Sequence, residues 1–171
     1  MFFALWPDRA LQNALASAAQ NSVLASGGRA IPPQNLHITL AFLGSVPQAR
    51  IEEVVAIAAD VANEVPREPL RITLDVIEYW KKPKLLCVTS LGPATKGKEA
   101  ALADALKSRL VAANDDREFR PHVTLARKVD HPPRLTKMEP LTWSFTDFVL
   151  VDSKTLPEGS VYTVLERFPL R

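Results

Sequence analysis

The chain has 171 residues, 47% of them hydrophobic and 23% charged, which is the balance of one ordinary globular domain, expected to span residues 1–171. Lys and Arg number 21 against 19 Asp and Glu, so bulk charge cannot drive binding to a nucleic acid and any anion site must come from local placement. The single cysteine, Cys87, excludes an internal disulfide and, within Leu85-Leu86-Cys87-Val88, reads as a small buried hydrophobe.

In chain order, Phe2 to Trp6 reads as a short strand stopped by Pro7 rather than a signal peptide, for it lacks a basic leader and a cleavage site. No apolar run approaches the roughly 20 residues that cross a bilayer, so no membrane partner and a cytoplasmic location are expected. Ala10, Leu11, Ala14, Leu15, Ala18 and Ala19 follow helical spacing over 8–19, with Asp8 as N-cap. Gly27-Gly28 and Pro32-Pro33 break the chain, and Leu36 to Phe42 alternates as a strand that Gly44-Ser45 ends. A second helix spans 47–65, with Ile51, Val54, Val55, Ala58, Ala59 and Ala62 as its stripe. Strands over 70–80 and 85–91 flank a hairpin loop, Lys81-Lys82-Pro83-Lys84. A third helix follows over 96–113, then a strand over 119–128, a loop marked by Pro132-Pro133, and closing strands over 145–151 and 161–168. Strands mixed with helices at hairpin-length connections predict an α+β fold with mainly antiparallel sheets.

Two tetrapeptides carry the chemistry. His37-Ile38-Thr39-Leu40 and His122-Val123-Thr124-Leu125 share one pattern, 85 residues apart, as an internal duplication would give. On a strand, residues i and i+2 share a face, so each motif presents an imidazole beside a hydroxyl while its aliphatic residues face a core. Two facing pairs suit phosphoester cleavage. One imidazole takes a proton while the other gives one, and hydroxyls with a nearby cation stabilise charge on the phosphate oxygens. His131 is the control, since Pro132-Pro133 follows it and no hydroxyl stands at +2; it reads as a surface residue. Metal-site spacings, the serine-hydrolase elbow and the phosphate-binding glycine loop are absent from the sequence, so no metal or other cofactor is expected.

Asn35 to Gly44 and Arg120 to Arg127 resemble the two signature strands of the two-histidine (2H) phosphoesterases, and within them those of the RNA 2′,3′-cyclic phosphodiesterases, historically called 2′-5′ RNA ligases. The resemblance extends to Phe2-Phe3-Ala4-Leu5 at the start and to Phe148 through Ser153, Gly159, Tyr162 and Leu165 near the end. It implies a bilobal fold, two pseudo-symmetric antiparallel sheets backed by helices, with the two motifs lining a central cleft. It also implies cofactor-free hydrolysis of RNA 2′,3′-cyclic phosphate ends to 2′-phosphates. By the same resemblance His37 is the proton donor and His122 the proton acceptor, while Thr39 and Thr124 hold phosphate oxygens. Ligation to a 2′-5′ linkage would use these groups with the roles exchanged, and a monomer is expected.

Arg127 is a further phosphate ligand by resemblance, and Phe42 a candidate base contact. Strict alternation points both away from the motif faces, so each reaches the cleft only if its strand bulges or ends. Where relatives often carry an aromatic or arginine-bearing strand, this chain has Lys84 to Val88, and its cations gather in Lys81, Lys82 and Lys84. These lysines are either an RNA guide or a solvated hairpin tip. Two other functions stay open from sequence: a 2H enzyme acting on another small ester, such as a cyclic nucleotide or ADP-ribose cyclic phosphate, and a non-catalytic RNA-end binder.

Overall fold

The first strand, β1 (Phe2–Leu5), is apolar at all four positions and buried at all four, the signature of a strand covered on both faces. The computed structural model describes residues 1–65, 70–91, 97–110, 119–157 and 159–170. Phe3 and Leu5 enter the main core, while Phe2 and Ala4 join a smaller cluster with Val149, Val151, Trp6 and Tyr162 on the opposite face.

Helix α1 (Arg9–Ala25) starts where the Asp8 carboxylate accepts the Leu11 N–H at 2.8 Å, a cap worth about 1 kcal/mol. It runs beyond the expected 8–19, because Ala19 is buried in the core and Val23 packs against it. Gly27 ends it at φ +62°, where a Cβ would also meet His131 Nδ1 at 2.7 Å, so this turn demands glycine twice over. A two-residue strand, β2 (Arg29–Ala30), follows, then β3 (Ile38–Phe42) and α2 (Ile51–Glu64), the last entered through a 3₁₀ turn at Gln48–Arg50. Next come β4 (Leu70–Trp80), β5 (Leu85–Thr89), α3 (Lys98–Leu110) and β6 (Val123–Arg127). The ends expected for the third helix, at 96 and 111–113, lie outside the described residues. The chain closes with β7 (Thr136–Phe145), β8 (Asp147–Leu156) and β9 (Gly159–Pro169).

Two differences from the sequence-based elements concern the closing strands. β7 falls where a loop was expected, and Phe145 ends it instead of opening the next strand. β7 lies at the sheet edge with only Trp143 and Phe145 buried, and its alternation is short, running over Leu141 to Phe145 after Pro140. Pro140 sits where the β4–β7 register breaks, between the pairs Leu74↔Leu141 and Val76↔Lys137, the kind of position at which a sheet tolerates proline.

Among the described residues the strands form one sheet in the order β7-β4-β5-β6-β3-β1-β8-β9, with β2 paired to β6 and every pairing antiparallel. Its halves, β7-β4-β5-β6 and β3-β1-β8-β9, meet at a single pair, Ile38↔Val123. Those residues are themselves 85 apart. An antiparallel pairing of equivalent residues places a local pseudo-twofold axis through that pair. The helices cross the seam: α1 packs behind β6 and β7, α3 behind β3, and α2 against α3 and β9. Each half is therefore backed by a helix from the other, and one hydrophobic core holds Phe3, Ile38, Leu74, Val123 and Phe148 together. Among the described residues no helix is long and apolar enough to cross a membrane.

Candidate active site

On the face away from the helices, the seam opens into a cleft of about 830 Å³, a size suited to a small ligand. His37, Thr39, His122 and Thr124 all line it, and so do Phe42 and Arg127. Carrying the Ile38↔Val123 register one residue on sets His37 across from Thr124 and Thr39 across from His122. Both histidines stand just before the first residue of their strand, and Ile38 and Val123 anchor them from below, fully buried.

Each ring is fixed by the carbonyl two residues earlier. His37 Nδ1 lies 2.6 Å from the Asn35 carbonyl oxygen, and His122 Nδ1 lies 2.8 Å from that of Arg120. A carbonyl only accepts, so Nδ1 carries the proton in both, and Nε2 is left as the nitrogen that exchanges protons. In His37, Nε2 accepts from the Thr39 hydroxyl at 3.2 Å.

Strand parity fails in both motifs for one reason. Along β1–β3 the pairs step from Phe3↔Ala41 to Ala4↔Thr39, skipping Leu40. Along β5–β6 they step from Leu86↔Ala126 to Cys87↔Thr124, skipping Leu125. Each strand carries a β-bulge at the fourth residue of its tetrapeptide, and beyond a bulge the alternation inverts. Leu40 and Ala41 are buried in succession, as are Leu125 and Ala126. Phe42 and Arg127 consequently return to the histidine face. Phe42 stays 57% exposed there, a large ring open to whatever enters the cleft.

The electrostatics are unequal. Burial pushes the His37 pKa down to about 4; the Asn35 carbonyl opposes this, and the positive charges of Arg127 and His122 add to it. Its ring lies 5.2 Å from Trp6 at 8° and 4.9 Å from Phe2 at 24°, with the Tyr162 ring edge-on at 5.4 Å. Burial also lowers the His122 pKa; the Arg120 carbonyl opposes it, the Arg120 guanidinium reinforces it, and Glu78 counteracts that guanidinium.

Trp80, Tyr162 and Asn35 are among the cleft residues that the sequence did not single out for the site. Trp80 is brought in by the β4–β5 hairpin and lies 4.3 Å from the His122 ring. Asn35 binds the Ser160 carbonyl with its side chain while its own carbonyl holds His37. The available signal was their position: Asn35 and Arg120 both stand two residues before a motif histidine. Cys87 is buried, its thiol pushed up to about 12 chiefly by that burial, with the Thr124 hydroxyl in hydrogen-bonding contact. His131 is exposed and does not line the cleft. Among the described residues no three His, Cys, Asp or Glu side chains gather as a set that could hold a metal ion.

Known proteins resemble this chain along nearly its whole length. The RNA 2′,3′-cyclic phosphodiesterase of Thermus thermophilus is 30% identical over 180 residues, covering 100% of this chain and 90% of that protein. The crystal structure of TT0787 of Thermus thermophilus superposes with a TM-score of 0.82 at 29% identity, covering 99% of this chain and 97% of the other. That of Escherichia coli LigT complexed with NADP+ gives 0.84 at 25%, covering 99% and 95%. These matches establish the expected α+β fold of the two-histidine phosphoesterases. A family model, the 2′-5′ RNA ligase superfamily, matches residues 7–155. With its paired tetrapeptides in one cleft and this agreement along nearly its whole length, the chain belongs to the 2′-5′ RNA ligase superfamily.

Proposed function

We propose that this protein is an RNA 2′,3′-cyclic phosphodiesterase that opens cyclic phosphate ends to 2′-phosphates by two-histidine acid–base catalysis. The observation that carries this is the matched pose of the two imidazoles, each with Nδ1 tied to a carbonyl and Nε2 left for proton exchange, in one cleft. The relative from Thermus thermophilus bears the same activity in its name. NADP+, the ligand of the LigT crystal structure, carries a ribose 2′-phosphate, the group this reaction would produce.

In the proposed step, His122 Nε2 takes a proton from water as the water oxygen attacks phosphorus. The P–O3′ bond breaks, and a proton from His37 Nε2 passes to the departing oxygen. Thr39, Thr124 and Arg127 hold the non-bridging oxygens, and Phe42 supports the terminal base. The low pKa of His37 keeps it neutral in the empty cleft at pH 7, so its proton must be gained with the substrate. The anionic phosphate supplies the cause: it offsets Arg127 and favours the charged imidazolium beside it. The chain acts as a single monomeric domain in the cytoplasm, and 2′-5′ ligation runs through the same groups. Relatives' names favour neither another small cyclic phosphate nor a non-catalytic role.

The test is turnover of RNA ending in 2′,3′-cyclic phosphate, of 2′,3′-cyclic mononucleotides and of ADP-ribose cyclic phosphate, with phosphorus NMR of the products. A 2′-phosphate product from RNA, unaffected by EDTA, is expected. A 3′-phosphate product, strict metal dependence or preference for the ADP-ribose ester would overturn it.

A further inference from the structure

Beside His122, four side chains form a chain of contacts. The Glu78 carboxylate accepts from Trp80 Nε1 at 2.9 Å and from the Thr89 hydroxyl at 3.1 Å. It also pairs with Arg120 at 2.6 Å, where the glutamate side chain is only 17% exposed. The Arg120 guanidinium lies over the Trp80 ring at 5.2 Å, and that ring lies against His122 at 4.3 Å. The backbone of Arg120 holds His122 Nδ1. Glu78 thus fixes both supports of the imidazole: the ring that packs on it and the residue whose carbonyl anchors it.

A carboxylate this enclosed needs its partners, because burying a charge is costly without hydrogen bonds and a counterion. Here it has two donors and one cation, all converging on a single oxygen, Oε1. None of these bonds is needed to close the β4–β5 ladder, which is already continuous from Val76↔Thr89 to Trp80↔Leu85. Around His37 the described residues place the rings of Trp6, Phe2 and Tyr162, the Thr39 hydroxyl and the Arg127 charge, with no carboxylate among the causes acting on it.

We infer that Glu78 is a positioning residue for His122, acting through Trp80 and Arg120 to orient the imidazole and to balance the arginine charge beside it. This deepens the proposed hydrolysis and rests on it for its kinetic arm alone. The charged groups that act on His122 are Arg120 from its own segment and Glu78 from β4, and a charge on His122 in turn acts on His37 across the cleft.

The protein has three histidines, so imidazole proton resonances in the full chain can be followed individually by NMR titration. Glu78→Gln keeps an oxygen for Trp80 and Thr89 but loses the charge; the His122 midpoint should move to lower pH by half a unit or more. Arg120→Gln should move it to higher pH, and the double variant should return it toward the wild-type value. His37 and His131 should keep their midpoints. In turnover of a 2′,3′-cyclic mononucleotide, Glu78→Gln should lower kcat about tenfold with KM within twofold, and the double variant should recover part of the loss. A His122 midpoint unmoved in both single variants, or losses that simply add in the double variant, would overturn the role. Absence of turnover in the wild type would instead refute the hydrolytic function and leave the titration to decide the positioning.

Discussion

Around His37 the neighbours are rings, with Trp6 and Phe2 stacked on it and Tyr162 edge-on. Around His122 they are charges arranged about one ring: Trp80 against the imidazole, Arg120 over Trp80, and Glu78 holding both. The two tetrapeptides share a pattern, a backbone anchor and a bulge, yet their surroundings push on the proton with different force. Desolvation alone takes a neutral imidazole far from protonation, whereas a carboxylate nearby restores part of what burial removes. A duplicated motif thus supplies two similar groups, and the packing of each half makes them unequal.

The sharpest way to break this comparison is to remove each ring. His37→Ala and His122→Ala should each lower kcat for cyclic phosphate hydrolysis by about a hundred- to ten-thousand-fold, with circular dichroism unchanged. Near wild-type turnover in either variant would contradict the paired roles.

The desolvation of His37 should also be visible in stability. The unfolded chain takes up this proton near pH 6.5, the folded one only near 4, so unfolding gains a proton in between. Stability from this group is complete above pH 6.5 and is lost as pH falls through about 4, by on the order of 3 kcal/mol. Urea denaturation at pH 7 and pH 4 should show a steeper acid loss for the wild type than for His37→Gln. Equal slopes would mean that the ring is not desolvated as described.

Equivalent positions after the two bulges hold different chemistry, Phe42 in one half and Arg127 in the other. Arg127→Ala should remove the proposed charge-assisted bonds to the phosphate, about 1.5–3 kcal/mol, and lower kcat/KM roughly ten- to hundredfold for every cyclic phosphate. Phe42→Ala should cost less, about tenfold at most, and should raise KM for RNA ends. If Arg127→Ala left phosphate affinity intact, the bulge would not serve the site.

The smallest effect is on the pH profile. Because both imidazole pKa values are lowered, the bell of kcat/KM should peak below pH 6.5, as that parameter reports the free enzyme. The kcat profile should lie at higher pH, since bound phosphate favours protonated histidine. A kcat/KM maximum above pH 7 would mean that these two rings do not set the profile.

Much of this was legible along the chain. Asp8 caps its helix, β4 spans the expected 70–80, and Phe42 and Arg127 were named together with the condition, a bulge, under which they reach the cleft. What escaped detection was weakly patterned. β7 alternates only over Leu141 to Phe145, beyond Pro140, and β2 has only two residues. Trp80 and Glu78 matter through partners distant in sequence, Arg120 and His122.

The amino-acid sequence by itself determined which groups could do chemistry: two imidazoles, each with a hydroxyl at +2 and aliphatic residues that bury the strand beneath it. Periodicity suffices for that, because side-chain direction on a strand is a local property. Only the tertiary structure decided that the motifs meet at Ile38↔Val123, that a skipped residue turns Phe42 and Arg127 inward, and that His37 is walled by rings while His122 packs on a ring held by a half-buried carboxylate. Register, bulge and desolvation all depend on which distant strand lies alongside, and no local pattern encodes that neighbour.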